Sequence, residues 1–502
     1  MQTALPPKFR RMNIYIALLC VAAFSISLAV SEGVFQRIPH LEDEHANYYQ
    51  AKVFTKGWLA SSTPVSPLSF FQPFVIDLNG RRFSKYPPGY SLILALGILL
   101  RYPAIINAIS SALTILGVYL LTRDIHDETS AMIAACLAVL SPMSILLSGT
   151  FLPHTINITL VIFFSWAFFR WRNTLSSRRI VYASIAGALL GFSFCVRPYT
   201  AVAIGAPFGL ILFVDFLRSP RKTFLTAVIM GLFFFSVSMI YFSYNWINGG
   251  SPFANLYTMW WQEDQVGFGH AIGNGGHYLK DAAINLDADL PLFYQFIIGS
   301  PAVLGVPLII LFSIAGIVVL RRKLMGWFLV MPPASLIIFH MAYWAHSGGL
   351  YGPRYYAEAM PFIWILTAVG LTALWNYPQL KQIIYFLLPT IILWNIAGLI
   401  LPSFTSGYNL YEINRNDTRI ITEAKLEYAL VFVKSDYWTE YSNLSWLNEP
   451  DLYNSNIIFA RDFGPETNIF IINEFPGREL FTYDRDATIP LQPYYPILNH
   501  SK

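Results

Sequence analysis

Apolar runs about as long as a bilayer crossing alternate with short polar segments along most of the chain. A hydrocarbon core about 30 Å thick needs roughly 20 helical residues at about 1.5 Å per residue. Runs of that length sit near 13–31, 103–122, 130–149, 154–172, 179–196, 198–216, 223–245, 294–319, 325–345, 358–375 and 382–401, eleven in all. The stretch 87–100 (PPGYSLILALGILL) is apolar too, but holds only 14 residues and opens on Pro87-Pro88-Gly89, so it predicts a re-entrant or interfacial helix. Polar pattern returns in 32–102, in 246–293 and after Pro402. In the tail, runs such as Leu430-Val431-Phe432-Val433 and Ile469-Phe470-Ile471-Ile472 are separated by turn residues, as in a small α/β domain. The expected architecture is an all-α polytopic membrane bundle over 1–401, with large loops at 32–102 and 246–293, and a C-terminal α/β domain over 402–502. No internal repeat or low-complexity tract is evident, which weighs against transporter folds built from inverted repeats.

Charge orients the pattern. Basic residues should mark cytoplasmic loops, and they cluster at Lys8/Arg10/Arg11, Arg123, Arg170/Arg172/Arg178/Arg179, Arg218/Arg221/Lys222, Arg321/Arg322/Lys323 and, weakly, Lys381. Eleven spans put the two ends on opposite sides: the N-terminus inside, both large loops and the tail outside. Counting 87–100 as a span would put Arg321–Lys323 outside. The first run is too long, and Ser31-Glu32-Gly33 too poor a cleavage site, for a removed signal peptide.

Composition narrows the class. The 502 residues are 55% hydrophobic and 12% charged, with mean hydropathy +0.48, where globular chains carry about 25% charged residues. A cytosolic enzyme, a disordered chain and a secreted disulfide scaffold are excluded. The net charge of +4 sits in short clusters and implies no nucleic acid, and the three cysteines, Cys20, Cys136 and Cys195, all lie in apolar segments.

The candidate chemistry lies in the outer segments. Glu42-Asp43-Glu44 opens a helical stretch over 43–56, where Asp43 and Asn47 share a face, as do Glu44 and Tyr48. Acids suit a helix's first turn; a carboxylate at the membrane surface also suits a general base. Both readings stand together. Arg81-Arg82-Phe83-Ser84-Lys85-Tyr86 places cations where a lipid-linked phosphate or lipid head groups would lie. Arg197, in Arg197-Pro198, and Arg354, in Gly352-Pro353-Arg354-Tyr355, run against the charge rule and call for a buried anion partner. His154 caps a span, a place where a lone histidine is more often structural than catalytic. The loop with Glu263, Asp264, His270 and His277 is glycine-rich, matches no zinc spacing, and reads better as a mobile lid.

Asp43-Glu44, Tyr86-Pro87-Pro88-Gly89, Arg197-Pro198, Asn245 with Gly250-Ser251-Pro252-Phe253, and Gly352-Pro353-Arg354-Tyr355 stand in order on one side. Together they resemble bacterial polyprenyl-phosphate-dependent glycosyltransferases of the GT-C fold, relatives of the protein O-mannosyltransferases and of the lipid A aminoarabinose transferase. The resemblance covers about 10–400; it rests on order and sidedness, since no single motif is specific. It implies Asp43 as catalytic base; Glu44 and His154 are the other catalytic candidates, Glu44 orienting the helix or the acceptor where Asp43 is the base. The family's second outer loop often supplies another acid; His154 stands there, which leaves a second carboxylate and a divalent metal open.

The implied chemistry is transfer of a sugar from a polyprenyl-phosphate donor to an envelope acceptor (protein, lipid or glycan). It would take place at the outer face of the plasma (inner) membrane. The leaving group is a phosphate monoester anion that needs no proton, so one base and one cationic clamp suffice for a single inverting displacement. Lys85, Arg197 and Arg354 are the clamp candidates. Tyr48, Tyr86, Tyr355 and Trp260/Trp261 are candidates to pack on substrate, although an interfacial aromatic belt explains many of them. Two alternatives stay open. A transporter or flippase of a lipid-linked or anionic solute would set its site near the midplane, whereas these groups gather at the outer edge. A glycan polymerase or ligase would share the donor chemistry but not the Asp-Glu opening.

Overall fold

The computed structural model describes residues 7–299, 302–303, 306–307, 309–322, 324–349 and 351–496. Lys323 of the expected inner cluster lies outside the described residues, as do the side chains of Lys8, Arg10 and Arg11.

The chain opens with helix α1 (Pro7–Gly33), then α2 (Glu42–Thr55), strands β1 (Ser61–Ser62), β2 (Val75–Leu78) and β3 (Arg81–Ser84), and α3 (Pro88–Leu99). Apolar helices follow: α4 (Ile105–Ile125), α5 (Glu128–Val139), α6 (Pro142–Gly149), α7 (His154–Asn173), α8 (Arg178–Val196), α9 (Pro198–Arg218) and α10 (Pro220–Gly249). After α11 (Leu256–Trp260) and α12 (Leu279–Ile298) come a short hairpin of β4 (Ala302–Val303) and β5 (Val306–Pro307), then α13 (Ile309–Leu320) and α14 (Leu324–His340). A 3-10 turn at Arg354–Ala359 leads into α15 (Met360–Trp375), followed by α16 (Pro378–Trp394), a π-turn at Asn395–Ile400 and α17 (Leu401–Gly407). The tail holds α18 (Arg415–Glu423), β6 (Ala429–Val433), α19 (Trp438–Ser445), β7 (Ile457–Arg461), α20 (Pro465–Glu474), β8 (Glu479–Tyr483) and β9 (Leu491–Pro493).

Among the described residues, seven helical segments are long and apolar enough to cross a membrane, or eight if α5 and α6 form one span bent by 55°. The count of eleven is not reached on that measure, for identifiable reasons. The run 130–149 breaks at Ser141-Pro142, where proline starts a new helix and Ser141 Oγ accepts from Ser144 N–H at 3.4 Å. The run 294–319 is not one helix: α12 ends on Gly299 in the left-handed region (φ +66°), and a hairpin precedes α13. The stretch 87–100 is, as expected, the short helix α3 behind Pro87.

The chain divides into two compact units. The helical unit comprises the chain up to Ser31, Ala104–Ser243 and Trp261–Ser406. Its helices meet closely where side chains vanish: a Cβ on Gly316 or Gly370 would stand 1.9 Å from the carbonyl oxygen of Leu366 or Phe312, so α13 and α15 pack backbone to backbone.

The second unit comprises Glu32–Pro103, Tyr244–Trp260 and the chain from Gly407. This departs from the expected boundary at 402, because the tail shares one unit with the first large loop. Its four-stranded sheet runs in the order β7-β6-β8-β9, with β6 parallel to β7 and β8, and β9 antiparallel to β8. Val431, Val433 and Phe459 pack against Tyr441 and Leu444 on one face. On the other, Leu430, Phe432 and Ile458 pack against Ile471 and Phe475, joined by Phe70 from the first loop.

Candidate functional sites in the two units

In the second unit the acids that open α2 divide their work. The N-cap is Leu41, which has no side chain to cap with, so Glu44 reaches back and its Oε2 accepts from the His40 backbone N–H at 3.0 Å. Glu44 is buried, and that cap gives it a structural role. Asp43, one position earlier and half-buried, accepts from the Tyr86 hydroxyl. Asn47 donates to the Asp43 carbonyl at 2.8 Å, and Ser91 Oγ donates to the Asn47 carbonyl at 3.1 Å, which ties the start of α2 to α3.

A hairpin delivers the other half of this cluster. Val75–Leu78 and Arg81–Ser84 pair antiparallel through Asn79-Gly80, both at positive φ (51° and 75°), the two-residue turn that matches strand twist. Ser84 N–H donates to Gln50 Oε1 at 3.0 Å, and Tyr244 donates to the same oxygen at 3.0 Å, so the end of the hairpin is fixed to α2. Lys85 and Tyr86 follow directly. The buried Lys85 ammonium lies 3.7 Å from the ring centroid of Phe74, 5.2 Å from that of Tyr257 and 5.4 Å from that of Tyr86. Tyr86 meets Phe74 and Tyr257 edge-on, at 5.8 and 5.6 Å. Asp43, Lys85 and Tyr86 therefore form one cluster.

Tyr48, expected among the substrate contacts, is elsewhere. It is buried edge-on against Trp446 at 5.7 Å, and burial, with the Glu449 charge, pushes its hydroxyl up to about 12. Its neighbour Lys52 donates to the carbonyls of Trp446, Leu447 and Asn448 at 3.0 to 3.2 Å. This face of α2 serves the tail.

In the helical unit, Arg197 stands at the break between α8 and α9, held extended (φ −146°) by Pro198 behind it. Its Nη1 donates to Glu358 Oε1 at 2.8 Å and Oε2 at 3.1 Å, and to His154 Nδ1 at 2.5 Å. Glu358 is wholly buried and also accepts from Asn157 Nδ2 at 2.9 Å; Ser193 Oγ in turn donates to Asn157 Oδ1 at 2.7 Å. The anion that Arg197 called for is Glu358, which the sequence reading missed. The signal was there: a carboxylate four residues past Arg354 at the mouth of an apolar run is costly unless paired. His154, offered as a catalytic residue, is a buried acceptor for Arg197, which leaves its proton on Nε2.

Arg354 opens the 3-10 turn that carries Glu358, with its guanidinium 5.9 Å from the Tyr355 ring centroid. Tyr355 stacks on His340 at 5.8 Å and meets Tyr343 edge-on at 5.4 Å. The glycine-rich segment expected as a lid is tied down. Asp264 accepts from Tyr343 Oη and Trp344 Nε1 at 3.2 Å, His277 Nε2 faces the Met341 carbonyl at 2.9 Å, and Gly267 N–H donates to the Ala342 carbonyl at 2.7 Å. Among the described residues no group of three or more His, Cys, Asp or Glu side chains is placed to hold a metal ion.

Residues 85–241 match the family described as dolichyl-phosphate-mannose-protein mannosyltransferase. Among solved structures, ArnT from Cupriavidus metallidurans bound to undecaprenyl phosphate aligns at TM-score 0.57 and 12% identity, over 87% of this chain and 84% of that one. Its apo state aligns at TM-score 0.56 and 10% identity, over 94% and 93%. The fold is GT-C. An apo oligosaccharyltransferase from Archaeoglobus fulgidus aligns at TM-score 0.50 and 16% identity, over 93% of this chain and 69% of that one. No curated protein matches the chain by sequence. The resemblance read from the motifs is borne out: the chain is a multi-pass membrane protein related to GT-C glycosyltransferases. Lys85, Tyr86, His154 and Arg197 lie inside the family-matched segment, Asp43 before it, and Arg354 and Glu358 after it.

Proposed function

We propose that this GT-C protein is a glycosyltransferase that moves a sugar from a polyprenyl-phosphate donor to a hydroxyl of an envelope acceptor, at the outer face of the plasma membrane. The observation that carries the reading is the meeting of Asp43 and Lys85 at Tyr86, a carboxylate and an ammonium on one aromatic scaffold. ArnT, bound in one structure to undecaprenyl phosphate, supports the lipid-phosphate donor.

The step balances without a general acid. Asp43 takes the proton of the acceptor hydroxyl as its oxygen attacks the anomeric carbon. The bond from that carbon to the phosphate oxygen breaks, and the polyprenyl phosphate leaves as an anion. Tyr86 orients the carboxylate by donating to Oδ1. Lys85 supplies positive charge that stabilises the departing phosphate. Inversion at the anomeric carbon follows from a single displacement.

The test is transfer from a purified polyprenyl-phosphate sugar in reconstituted vesicles. Asp43→Asn keeps the shape but cannot take the proton, so turnover should fall by ~10²–10⁴ with donor binding kept. Near-normal transfer by that variant would remove Asp43 from the chemistry. Glu44→Gln should lower thermal stability more than turnover, because it weakens a helix cap.

A further inference from the structure

We infer that Glu358 is the positioning residue that holds Arg197 as a receptor for the donor phosphate, an inference that rests on the function proposed above. A carboxylate and a guanidinium paired only for stability favour a fork, with two nitrogens meeting two oxygens. Here a single nitrogen, Nη1, meets both Glu358 oxygens and His154 as well. Nε and Nη2 of Arg197 have no hydrogen-bond partner among the described residues, and the side chain keeps 14% of its surface exposed. One edge of the guanidinium is thus anchored while the other presents two nitrogens in the geometry that matches an oxyanion.

The anchor itself is built for rigidity. Glu358 is fully buried, and Asn157, held by Ser193, fixes the oxygen that Arg197 also uses. A carboxylate buried this way is costly unless its partners are in place, so the pair cannot swing apart cheaply. Charge also remains for an anion. Arg197 and Arg354 both act electrostatically on His154, so two cations share this neighbourhood with the carboxylate of Glu358.

A merely structural ion pair and a positioning pair part ways in a double substitution. Glu358→Gln should raise the donor KM at least ~10-fold and lower Tm, because Arg197 loses both its orientation and its buried counter-charge. Arg197→Gln with Glu358→Gln removes both charges together. Its Tm should return toward wild type, while donor KM and polyprenyl-phosphate binding in nanodiscs stay impaired. Glu358→Asp, which keeps the charge on a shorter arm, should fold and show an intermediate KM. Recovery of full donor affinity by the double variant overturns the inference and leaves the proposed function standing. Wild-type protein that neither binds polyprenyl phosphate nor uses the donor removes the proposed function, and the inference with it. Where Glu358→Gln alone does not fold, the double variant decides.

Discussion

At the scale of single residues, the segment between α1 and α2 carries a polar group whose burial has a measurable consequence. His40 is buried, with Nδ1 2.8 Å from the Ile38 carbonyl and Nε2 3.0 Å from that of Ile413. Two carbonyls favour the charged ring, yet burial outweighs them and brings its pKa down to about 4; His45, buried beside it, is brought down to about 3. A neutral ring donates to only one of the two oxygens. The unfolded chain, with His near 6.5, binds more protons than the folded one as pH falls below that value. The stability that follows from keeping His40 neutral is therefore complete above about pH 6.5 and lost as pH falls toward 4, on the order of 3 kcal/mol. Tm of wild type should drop more steeply from pH 6.5 to 4 than that of His40→Gln; parallel curves would show that His40 does not titrate across the folding transition. Asp43 was legible in the sequence because three acids at one helix start are conspicuous in a chain this poor in charge. Which of them caps was not, because capping depends on backbone geometry, and Leu41 at the N-cap passed the task to Glu44. Glu358 lies beyond the Gly352-Pro353-Arg354-Tyr355 motif, where no further motif marks it.

At the scale of elements, boundaries were legible where backbone chemistry imposes them and lost where only hydrophobicity spoke. Pro87-Pro88-Gly89 marked α3, and the acid triplet marked α2. The apolar run 294–319 concealed a helix end and a hairpin, since short apolar strands and helices share one composition. Gly299 was the available signal. It takes a left-handed conformation, and a Cβ there would stand 1.8 Å from Asn395 Oδ1. The turn Asn79-Gly80 is a strong hairpin signal, and its hairpin delivers Lys85 and Tyr86 to the cluster. Gly80 has φ +75° and open space around a Cβ, so Gly80→Ala meets no clash and costs only the conformational penalty, roughly 1 kcal/mol. Gly209 has equally open space but lies within α9 at an ordinary φ, and Gly209→Ala should be neutral or stabilising. Thermal melts of the two variants should separate in that order. Donor KM should rise for Gly80→Ala alone, because the hairpin carries Lys85; equal melts would mean that positive φ is not what Gly80 provides.

At the scale of the whole molecule, composition set the sequence-based boundary at 402, where apolar helices give way to a polar α/β segment. Packing drew it elsewhere, because contacts distant in sequence decide it: Phe70 enters the core of the tail's sheet, Lys52 is satisfied by three tail carbonyls, and His40 meets Ile413. Such pairings have no periodicity to betray them. Orientation in the membrane is a different kind of property, set by where the basic clusters fall, and it can be tested on two reporters. Tyr437 in the tail is 71% exposed, and Leu175, beside Arg172 and Arg178, is 96% exposed. The native cysteines sit in helices α1, α5 and α8 and can be replaced by alanine first. In that background Tyr437→Cys should react with a membrane-impermeant maleimide in intact spheroplasts, and Leu175→Cys only after lysis, because the charge rule assigns the basic cluster around Leu175 to the inner face. The reverse pattern would invert the orientation and move Asp43 to the cytoplasmic side, where a donor would have to be met before it crossed the bilayer. Labelling of both reporters in sealed cells would mean instead that the basic clusters do not set the topology of this chain.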